Sequence, residues 1–183
     1  MQHTLSYSPA LIADALVVRL KSLVSELVAQ QNLNRDQHFS NVPLRCLVIG
    51  VGESGVAMLD CLKQSSPAAL TLAAFDTRTN PPALVQLQKD PQIQYLRTTQ
   101  IAQLSSADFD VVLMSPGLSI ERGDVADWLA QARLYGVIVL GEMDLFSMSL
   151  ELLREQYDYQ PKVIGITGSN GKTTVTTMTT HVL

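Results

Sequence analysis

The sequence has little charge, few aromatic residues and almost no cysteine. Of its 183 residues, 16% are charged and 5% aromatic, whereas 46% are hydrophobic. The chain is therefore apolar enough to bury a core and is not a disordered polypeptide. Its 13 Lys and Arg face 17 Asp and Glu, a net charge of −4, which excludes the basic footprint of a general nucleic-acid binder. This length holds one domain, or two small ones.

Cysteine and long hydrophobic runs are the two other deficits. Cys46 and Cys61 are too few for a disulfide framework and fit no metal-binding spacing. Both lie among apolar residues, which favours buried thiols in a reducing compartment. Charged residues interrupt the apolar stretch 11–28, which argues against a membrane span and a signal peptide. We therefore expect a cytoplasmic protein with no membrane insertion and no nucleic-acid partner.

Residues 1–43 form a leader in front of the repeated pattern described next. Ser8 and Pro9 mark a helix start. An apolar stripe at helical spacing follows, with the members Ile12, Leu16, Leu20, Leu23 and Leu27. The polar, turn-rich residues 34–43 predict a linker. The helix would serve either to pack on the rest of the chain or to support self-association.

Strand and helix patterns alternate along residues 44–140. Short apolar runs predict strands over 44–49, 70–75, 93–96, 110–114 and 137–140, and helical spacing predicts helices over 54–64, 81–89 and 123–135. Repeated strand–helix units predict right-handed crossovers and a Rossmann-like α/β domain with a parallel sheet. A second unit begins at residue 141, with a helix over 142–156, a strand over 162–167, a glycine loop, and a helix from 172 onward.

The first glycine-rich loop lies between a predicted strand and a predicted helix. Gly50, Gly52 and Gly55 form the pattern G-x-G-x-x-G, which lets a phosphate approach backbone N–H groups at a helix N-terminus. Asp76 ends the next strand, where a carboxylate would accept hydrogen bonds from a ribose or another nucleoside group. The pattern predicts nucleotide binding. The alternatives are a glycine turn needed only for helix–sheet packing and an NAD-dependent dehydrogenase.

The second glycine-rich loop covers residues 165–174 and ends in Gly171-Lys172-Thr173-Thr174. This ending is that of a P-loop, in which backbone N–H groups cradle the phosphates, the lysine reaches the β and γ phosphates, and the next Thr binds Mg²⁺. Ile166 stands where the general P-loop pattern has glycine, so the loop is a variant. The strand before it and the helix after it predict an ATP site, which also counts against the dehydrogenase.

The segment Gly-Ile-Thr-Gly-Ser-Asn-Gly-Lys-Thr-Thr at 165–174 resembles the ATP loop of the Mur ligases, the ATP-dependent amino-acid-adding enzymes of peptidoglycan synthesis. Three further motifs carry the resemblance: Asp76-Thr77-Arg78 followed by Pro81-Pro82, Ser115-Pro116-Gly117, and Gly-Glu-Met-Asp-Leu-Phe at 141–146. They are most similar to the branch that adds D-glutamate to UDP-N-acetylmuramoyl-L-alanine. The resemblance covers residues 44–183 and does not include the leader.

The resemblance implies two sites. In the family, the Rossmann-like first domain holds a UDP-sugar in place of NAD, and the matching positions here are Gly52, Glu53, Ser54, Gly55, Asp76, Thr77, Arg78, Ser115 and Gly117. The ATP loop opens the second domain and corresponds to Gly168, Ser169, Asn170, Gly171, Lys172, Thr173 and Thr174. Lys172 is implied as the catalytic phosphate clamp and Thr173 as a metal ligand, with ATP and Mg²⁺ as cofactors.

The implied reaction joins UDP-N-acetylmuramoyl-L-alanine to D-glutamate. The γ-phosphoryl of ATP activates the carboxylate as an acyl phosphate, and the amine of D-glutamate displaces phosphate. We expect a leader (1–43), a UDP-substrate domain (44–140) and the incomplete start of a P-loop ATPase domain (141–183). Because 11 residues follow Lys172, we expect this chain to be a truncated portion that is inactive alone. The alternatives are a Mur ligase for another amino acid and a non-catalytic UDP-sugar- or nucleotide-binding module.

Overall fold

The computed structural model describes residues 8–31, 42–98, 100–118 and 121–183. The strands are β1 Leu44–Ile49, β2 Leu70–Phe75, β3 Ile93–Tyr95, β4 Val111–Met114 and β5 Ile138–Gly141. The helices are α1 Pro9–Gln30, α2 Glu53–Leu62, α3 Leu84–Lys89, α4 Asp124–Leu134, α5 Glu142–Tyr157 and α6 Lys172–Val182. Two short 3₁₀ turns, Ile101–Gln103 and Ser106–Asp108, precede β4. No helix among these residues is both long enough and apolar enough to cross a membrane.

The strands form a five-stranded sheet in the order β3-β2-β1-β4-β5, and every pairing is parallel. Parallel strands are buried on both faces and so consist of nearly continuous apolar residues, as β1 and β4 do here. The predicted parallel α/β sheet is therefore confirmed. The strand order reverses between β1 and β4, so the carboxyl ends of these two strands flank the crevice in which sheets of this kind bind ligands.

Helices cover both faces of the sheet. Because side chains alternate along a strand, Val48 and Leu113 point to one face and Leu47 and Val112 to the other. The first face packs under α1, α2 and α5, and the second packs under α4 and the 3₁₀ turns. On the second face the ring of Trp128 lies 6.2 Å from that of Phe109.

The leader helix α1 is part of the first layer. It contacts both α2 and α5, and its buried residues are Ile12, Ala13, Leu16, Val17, Leu20, Val24 and Val28. The predicted stripe is therefore wrong in its last turns, where Leu23 and Leu27 are only half-buried. Because α1 lies across two helices, its contact row continues in four-residue steps past Leu20. Of the predicted linker, only residues 42 and 43 are described.

The strand predicted over residues 162–167 is absent. Residues 158–171 contain neither helix nor strand, and Val163 and Ile164 are 63% and 59% exposed. A strand requires a neighbour with which to exchange backbone hydrogen bonds, and this segment has none within the described part of the chain. The third helix also differs, since it begins at Leu84 and not at Pro81.

An ion pair between a buried aspartate and a half-buried arginine joins two strands at the amino-terminal edge of the sheet. Asp110, which is 1% exposed, accepts hydrogen bonds from the backbone N–H of Arg45 at 2.9 Å and from the guanidinium at 2.8 and 3.1 Å. Because Arg45 belongs to β1 and Asp110 directly precedes β4, the pair fixes the start of both strands. The hydrogen bond to Asp110 raises the pKa of the Arg45 guanidinium.

Replacing Gly55 with Ala should destabilise the fold, because a Cβ at this position would overlap the carbonyl oxygen of Gly50. Overpacking of this kind costs about 2 kcal/mol, which urea unfolding would measure. Gly117→Ala is the control, since a Cβ there meets nothing within 4 Å; it should change the free energy of unfolding by less than about 0.5 kcal/mol. Equal effects of the two substitutions would contradict this account of α2 packing.

Candidate nucleotide site

The first glycine loop joins β1 to α2 at the carboxyl edge of the sheet, and packing within the chain itself demands two of its glycines. Gly50 has a φ of +90°, and a Cβ there would lie 2.8 Å from the Cβ of Ser115 and 3.0 Å from Leu118. Gly55 lies directly against the carbonyl of Gly50. These two residues let α2 pack close to the ends of β1 and β4.

Gly52 differs from its two neighbours in the pattern. Its φ of −81° suits any residue, and a Cβ would meet nothing within 4 Å. No contact of the described chain therefore requires glycine at this position. Gly52 is the N-cap of α2, where free backbone N–H groups and the positive end of the helix dipole favour a phosphate. The open space is the approach that such a ligand needs.

Asp76 connects the end of β2 to this loop. Its carboxylate is 1% exposed and accepts hydrogen bonds from the N–H of Val51 at 2.8 Å and from the N–H, Nε and a terminal nitrogen of Arg78 at 2.8 to 2.9 Å. Burial alone would raise the pKa of this carboxyl, but the hydrogen bonds from Arg78 and Val51 outweigh it and hold the pKa below its ordinary value.

The other predicted UDP-site residues lie around the same edge. Ser115 follows β4, and its N–H donates to the carbonyl of Ile49 at the end of β1. Thr77 and Leu118 line a crevice that reaches the first turn of α4. Gly117 is exposed next to it, and a Cβ there would meet nothing within 4 Å. The structure therefore brings the ends of β1, β2 and β4 together, as nucleotide binding requires.

The first turn of α2 supplies the remaining two predicted residues. Glu53 is exposed and Ser54 is half-buried. A carboxylate in the first turn of a helix is favoured by the helix dipole, so Glu53 is stable there without a ligand. Among the residues that the structure describes, neither side chain makes a hydrogen bond into the crevice.

Two contributors to the site carry no sequence signal. Val51 acts through its backbone N–H, which no side-chain pattern reports. Tyr95 pairs with Ala74 in the β2–β3 ladder. The hydrogen bond to Asp76 is the main cause that raises the pKa of the Arg78 guanidinium, and electrostatic interactions with Asp76 and Tyr95 add to it. The strand pairing brings Tyr95 to this edge, so only the tertiary structure could identify it.

The second glycine loop has two glycines with positive φ directly before a helix. Gly168 and Gly171 have φ values of +151° and +78°, and α6 begins directly after them at Lys172. The ammonium of Lys172 donates to the carbonyl of Gly168 at 2.7 Å. The residues of the predicted ATP set are all exposed, namely Gly168, Ser169, Asn170, Gly171, Lys172, Thr173 and Thr174.

Helix α6 has no buried residue. Thr176, Thr177, Thr179 and Thr180 each donate a hydrogen bond to the carbonyl four residues earlier, so their hydroxyls are satisfied within the helix. The apolar side chains Val175 and Met178 are 47% and 64% exposed. The described part of the chain thus places no packing surface against this helix.

Thr173 presents its side chain in the first turn of α6, which is where a P-loop carries its magnesium ligand. Within residues 8–31, 42–98, 100–118 and 121–183 there is no group of three or more His, Cys, Asp and Glu side chains that could hold a metal ion.

Comparison with known protein families shows to which family the chain belongs. The profile of the Mur ligase MurD-like N-terminal domain matches residues 44–141, which is more than half of the chain and contains the whole sheet. The chain belongs to the MurD-like Mur ligase family. The match begins at the first residue of β1 and ends at the last residue of β5, so the family's domain coincides with the sheet that carries the site.

Individual relatives agree with this family. The UDP-N-acetylmuramoylalanine–D-glutamate ligase of Albidiferax ferrireducens is 39% identical over 150 residues, which are 81% of this chain and 27% of that protein. The enzyme of the same name from Bordetella parapertussis is 39% identical over 144 residues, 75% of this chain and 27% of that protein. The chain thus spans about a quarter of the length of these MurD-like relatives.

One solved structure also resembles the chain. It is a shikimate dehydrogenase from Aquifex aeolicus, which is 14% identical and has a TM-score of 0.42 over 78% of this chain and 57% of that one. At this score the similarity carries no argument about fold or activity, and the parallel sheet rests on its own strand pairings.

Replacing Asp76 with Asn should lower stability in a pH-dependent way. The folded pKa of Asp76 is lowered from an ordinary value of about 3.9, so its stabilising contribution is present above that pH and is lost as pH falls through the folded pKa. We expect Asp76→Asn to cost about 1–3 kcal/mol at pH 6. This difference from wild type should shrink below about pH 4. Urea unfolding at both pH values measures it, and a difference that is constant with pH would refute the ionised, hydrogen-bonded carboxylate.

Proposed function

We propose that this chain is the N-terminal part of an ATP-dependent ligase that adds D-glutamate to UDP-N-acetylmuramoyl-L-alanine. The observation that carries the proposal is the combination of an open glycine at the N-cap of α2 with family membership over residues 44–141. The relatives that are named for this reaction support the choice of substrate. A protein with this substrate and with ATP would act in the cytoplasm.

The first domain would bind the uridine diphosphate moiety at the carboxyl edge of the sheet. Gly52, Glu53, Ser54 and Gly55 would lie beside the diphosphate, since α2 begins there with unpaired N–H groups. The strand-end residues would frame the nucleoside, and these are Asp76, Thr77, Arg78, Ser115 and Gly117. The crevice between Thr77 and Leu118 offers a partly apolar wall for a base.

The second glycine loop would take part in ATP binding. Gly168 and Gly171 have positive φ values, and turns of this kind orient successive backbone N–H groups toward a bound anion. Lys172 would reach the transferred phosphoryl group and act as the catalytic clamp for its negative charge. Mg²⁺ bound with ATP would offset the charge of the phosphates, and Thr173 would be its ligand from this chain.

We further propose a division of the chain that follows these two sites. The sequence divides the chain into residues 44–140 for the UDP-substrate domain and 141–183 for the start of the ATP-binding domain. Because Gly141 ends β5 and α5 packs on the first face of the sheet, we place the start of the ATP-binding domain after α5, in residues 158–183. The exposed apolar residues of α6 favour a helix that packs in a domain other than the sheet of β1–β5. The N-terminal segment 1–43 would add its helix α1 to the first domain, where its apolar row packs.

This chain should bind UDP and should not bind NAD.

Gly52→Ala should weaken UDP binding at least about tenfold. A Cβ on residue 52 would crowd the phosphate, and losing one hydrogen bond between a backbone N–H and a charged phosphate costs about 1.5–3 kcal/mol. Isothermal titration calorimetry measures both ligands. Gly141→Ala is the matched control, because Gly141 caps α5 in a similar extended conformation (φ −101° against −81°); it should leave the affinity for UDP unchanged. Preference for NAD, or equal effects of the two substitutions, would contradict the proposed site.

The whole protein encoded by the gene should release ADP and phosphate only when both UDP-N-acetylmuramoyl-L-alanine and D-glutamate are present. Lys172→Met should reduce this release at least 100-fold, because charge stabilisation by one such group is worth about 3–4 kcal/mol, while the affinity for UDP stays the same. Lys162→Met is the control, since Lys162 is an exposed lysine before the loop. A requirement for a different amino acid would assign another ligase activity, and UDP binding without ADP release would favour a non-catalytic module.

A further inference from the structure

The carboxylate of Asp76 has no acceptor site left for a ligand. A carboxylate offers about four lone-pair positions, and four N–H groups of this chain occupy them at 2.8 to 2.9 Å. The residue is also 1% exposed. Its place at the end of the second strand is the one from which an acid reads the ribose in dinucleotide-binding folds. The four hydrogen bonds that Asp76 accepts here point to a role other than ribose recognition.

The first two residues of the glycine loop depend on the end of β2. The N–H of Gly50 donates to the carbonyl of Phe75 at 2.8 Å, and the N–H of Val51 donates to Asp76 at 2.8 Å. Val51 is fully buried, and the next residue is the N-cap Gly52. The carboxylate of Asp76 therefore fixes the backbone from which Gly52 and the first turn of α2 project.

Asp76 also fixes the orientation of Arg78. The guanidinium uses Nε–H and one N–H of a terminal nitrogen for the carboxylate, so three of its five donors are left over. The Arg78 side chain is 53% exposed, whereas that of Asp76 is 2% exposed. The three free N–H groups of Arg78 are thus available to solvent at the carboxyl edge of the sheet. The Asp76 carboxylate lies on the buried side of the guanidinium, and Tyr95 lies at the end of the neighbouring strand.

We propose that Asp76 is a positioning residue that holds the glycine loop and the Arg78 guanidinium for a nucleoside diphosphate, and that it does not read the ribose hydroxyls. This inference rests on the proposed function, because it concerns the nucleotide of the same crevice. Arg78 contacts the ligand through its free N–H edge, and Asp76 acts through Arg78 and Val51. The hydrogen bonds of Asp76 to Val51 and to Arg78 are coupled, because the same two carboxylate oxygens accept both.

Deoxynucleotides distinguish positioning from ribose recognition. The dissociation constants of UDP, 2′-deoxy-UDP and 3′-deoxy-UDP are measured by calorimetry for wild type and Asp76→Asn. Whichever way the Asn amide is turned, its NH₂ group faces an N–H donor, so one of the two supports is lost. We expect all three nucleotides to bind about tenfold more weakly, with their relative affinities within about twofold of wild type. Loss of discrimination against one deoxynucleotide in Asp76→Asn would overturn the proposal.

A double-mutant cycle tests the route through Arg78. Arg78→Met should weaken UDP binding by a similar factor. In the double variant the further loss caused by Asp76→Asn should be clearly smaller than in the wild-type background, because only the support through Val51 is then left to lose. Fully additive losses would show that Asp76 does not act through Arg78. Asp76→Asn with unchanged UDP affinity would also overturn the proposal.

Asp110→Asn is the matched control. Asp110 is likewise 1% exposed and accepts hydrogen bonds from a backbone N–H and from the guanidinium of Arg45, but it lies at the opposite edge of the sheet. This variant should lose stability as Asp76→Asn does and should bind UDP within twofold of wild type. A similar loss of affinity in both variants would reduce Asp76 to a stability effect and overturn the proposal.

Hydrogen exchange tests the loop anchor without any nucleotide. In Asp76→Ala, the amide of Val51 should exchange at least tenfold faster relative to the amide of Val48 in β1, and in Asp110→Ala this ratio should not change. An unchanged ratio in Asp76→Ala would overturn the anchoring role. If the wild-type chain binds no UDP at all, the proposed function fails. If it binds UDP but Asp76→Asn no longer discriminates against one of the deoxynucleotides as wild type does, only the positioning role fails.

Discussion

The buried carboxylate of Asp76 is the constraint on which the carboxyl edge of the sheet, and with it the proposed nucleotide site, depends. It brings together two segments that are distant in the sequence, the glycine loop after β1 and the residues after β2. An ionised carboxylate can stay buried only when N–H donors replace the water it has lost. Val51 and Arg78 supply these donors, so the same bonds that permit burial also determine the shape of the loop. Fold stability and site geometry therefore have one cause at this edge of the sheet.

The two glycine loops differ in how they are supported. The first packs against Ser115 and Leu118, and its N–H groups donate hydrogen bonds to the carbonyl of Phe75 and the carboxylate of Asp76 at the end of β2. The second has suitable glycine conformations and a lysine bonded within its own loop, but the helix after it buries no residue. Isolated short helices are marginal in water, and tertiary packing provides most helical stability in proteins. Of the two proposed sites, the first therefore has a loop held by tertiary contacts, whereas the described part of the chain gives the second none beyond its own loop and helix.

Much of the fold could be predicted from the sequence, because apolar runs and glycine turns are local signals. The strands over residues 44–49 and 70–75 have their predicted bounds, and the other three sheet strands differ by one residue at one or both ends. The failures are non-local. Residues 162–167 have a strand-like composition but no pairing partner within the described chain, and the α1 contact row follows the helices beneath it, so Val24 is buried and Leu23 is not.

The sequence by itself determined the parallel α/β sheet, the two glycine loops and the resemblance to the Mur ligases, since each depends on residue types at fixed spacing. Only the tertiary structure decided what the individual residues do. It assigned Gly50 and Gly55 to packing and left Gly52 open, because their neighbours come from other strands and loops. It likewise showed that N–H groups of the chain itself donate to both carboxylate oxygens of Asp76. The spacing of a motif is a property of the chain, whereas the occupation of a hydrogen-bond acceptor depends on which segments meet.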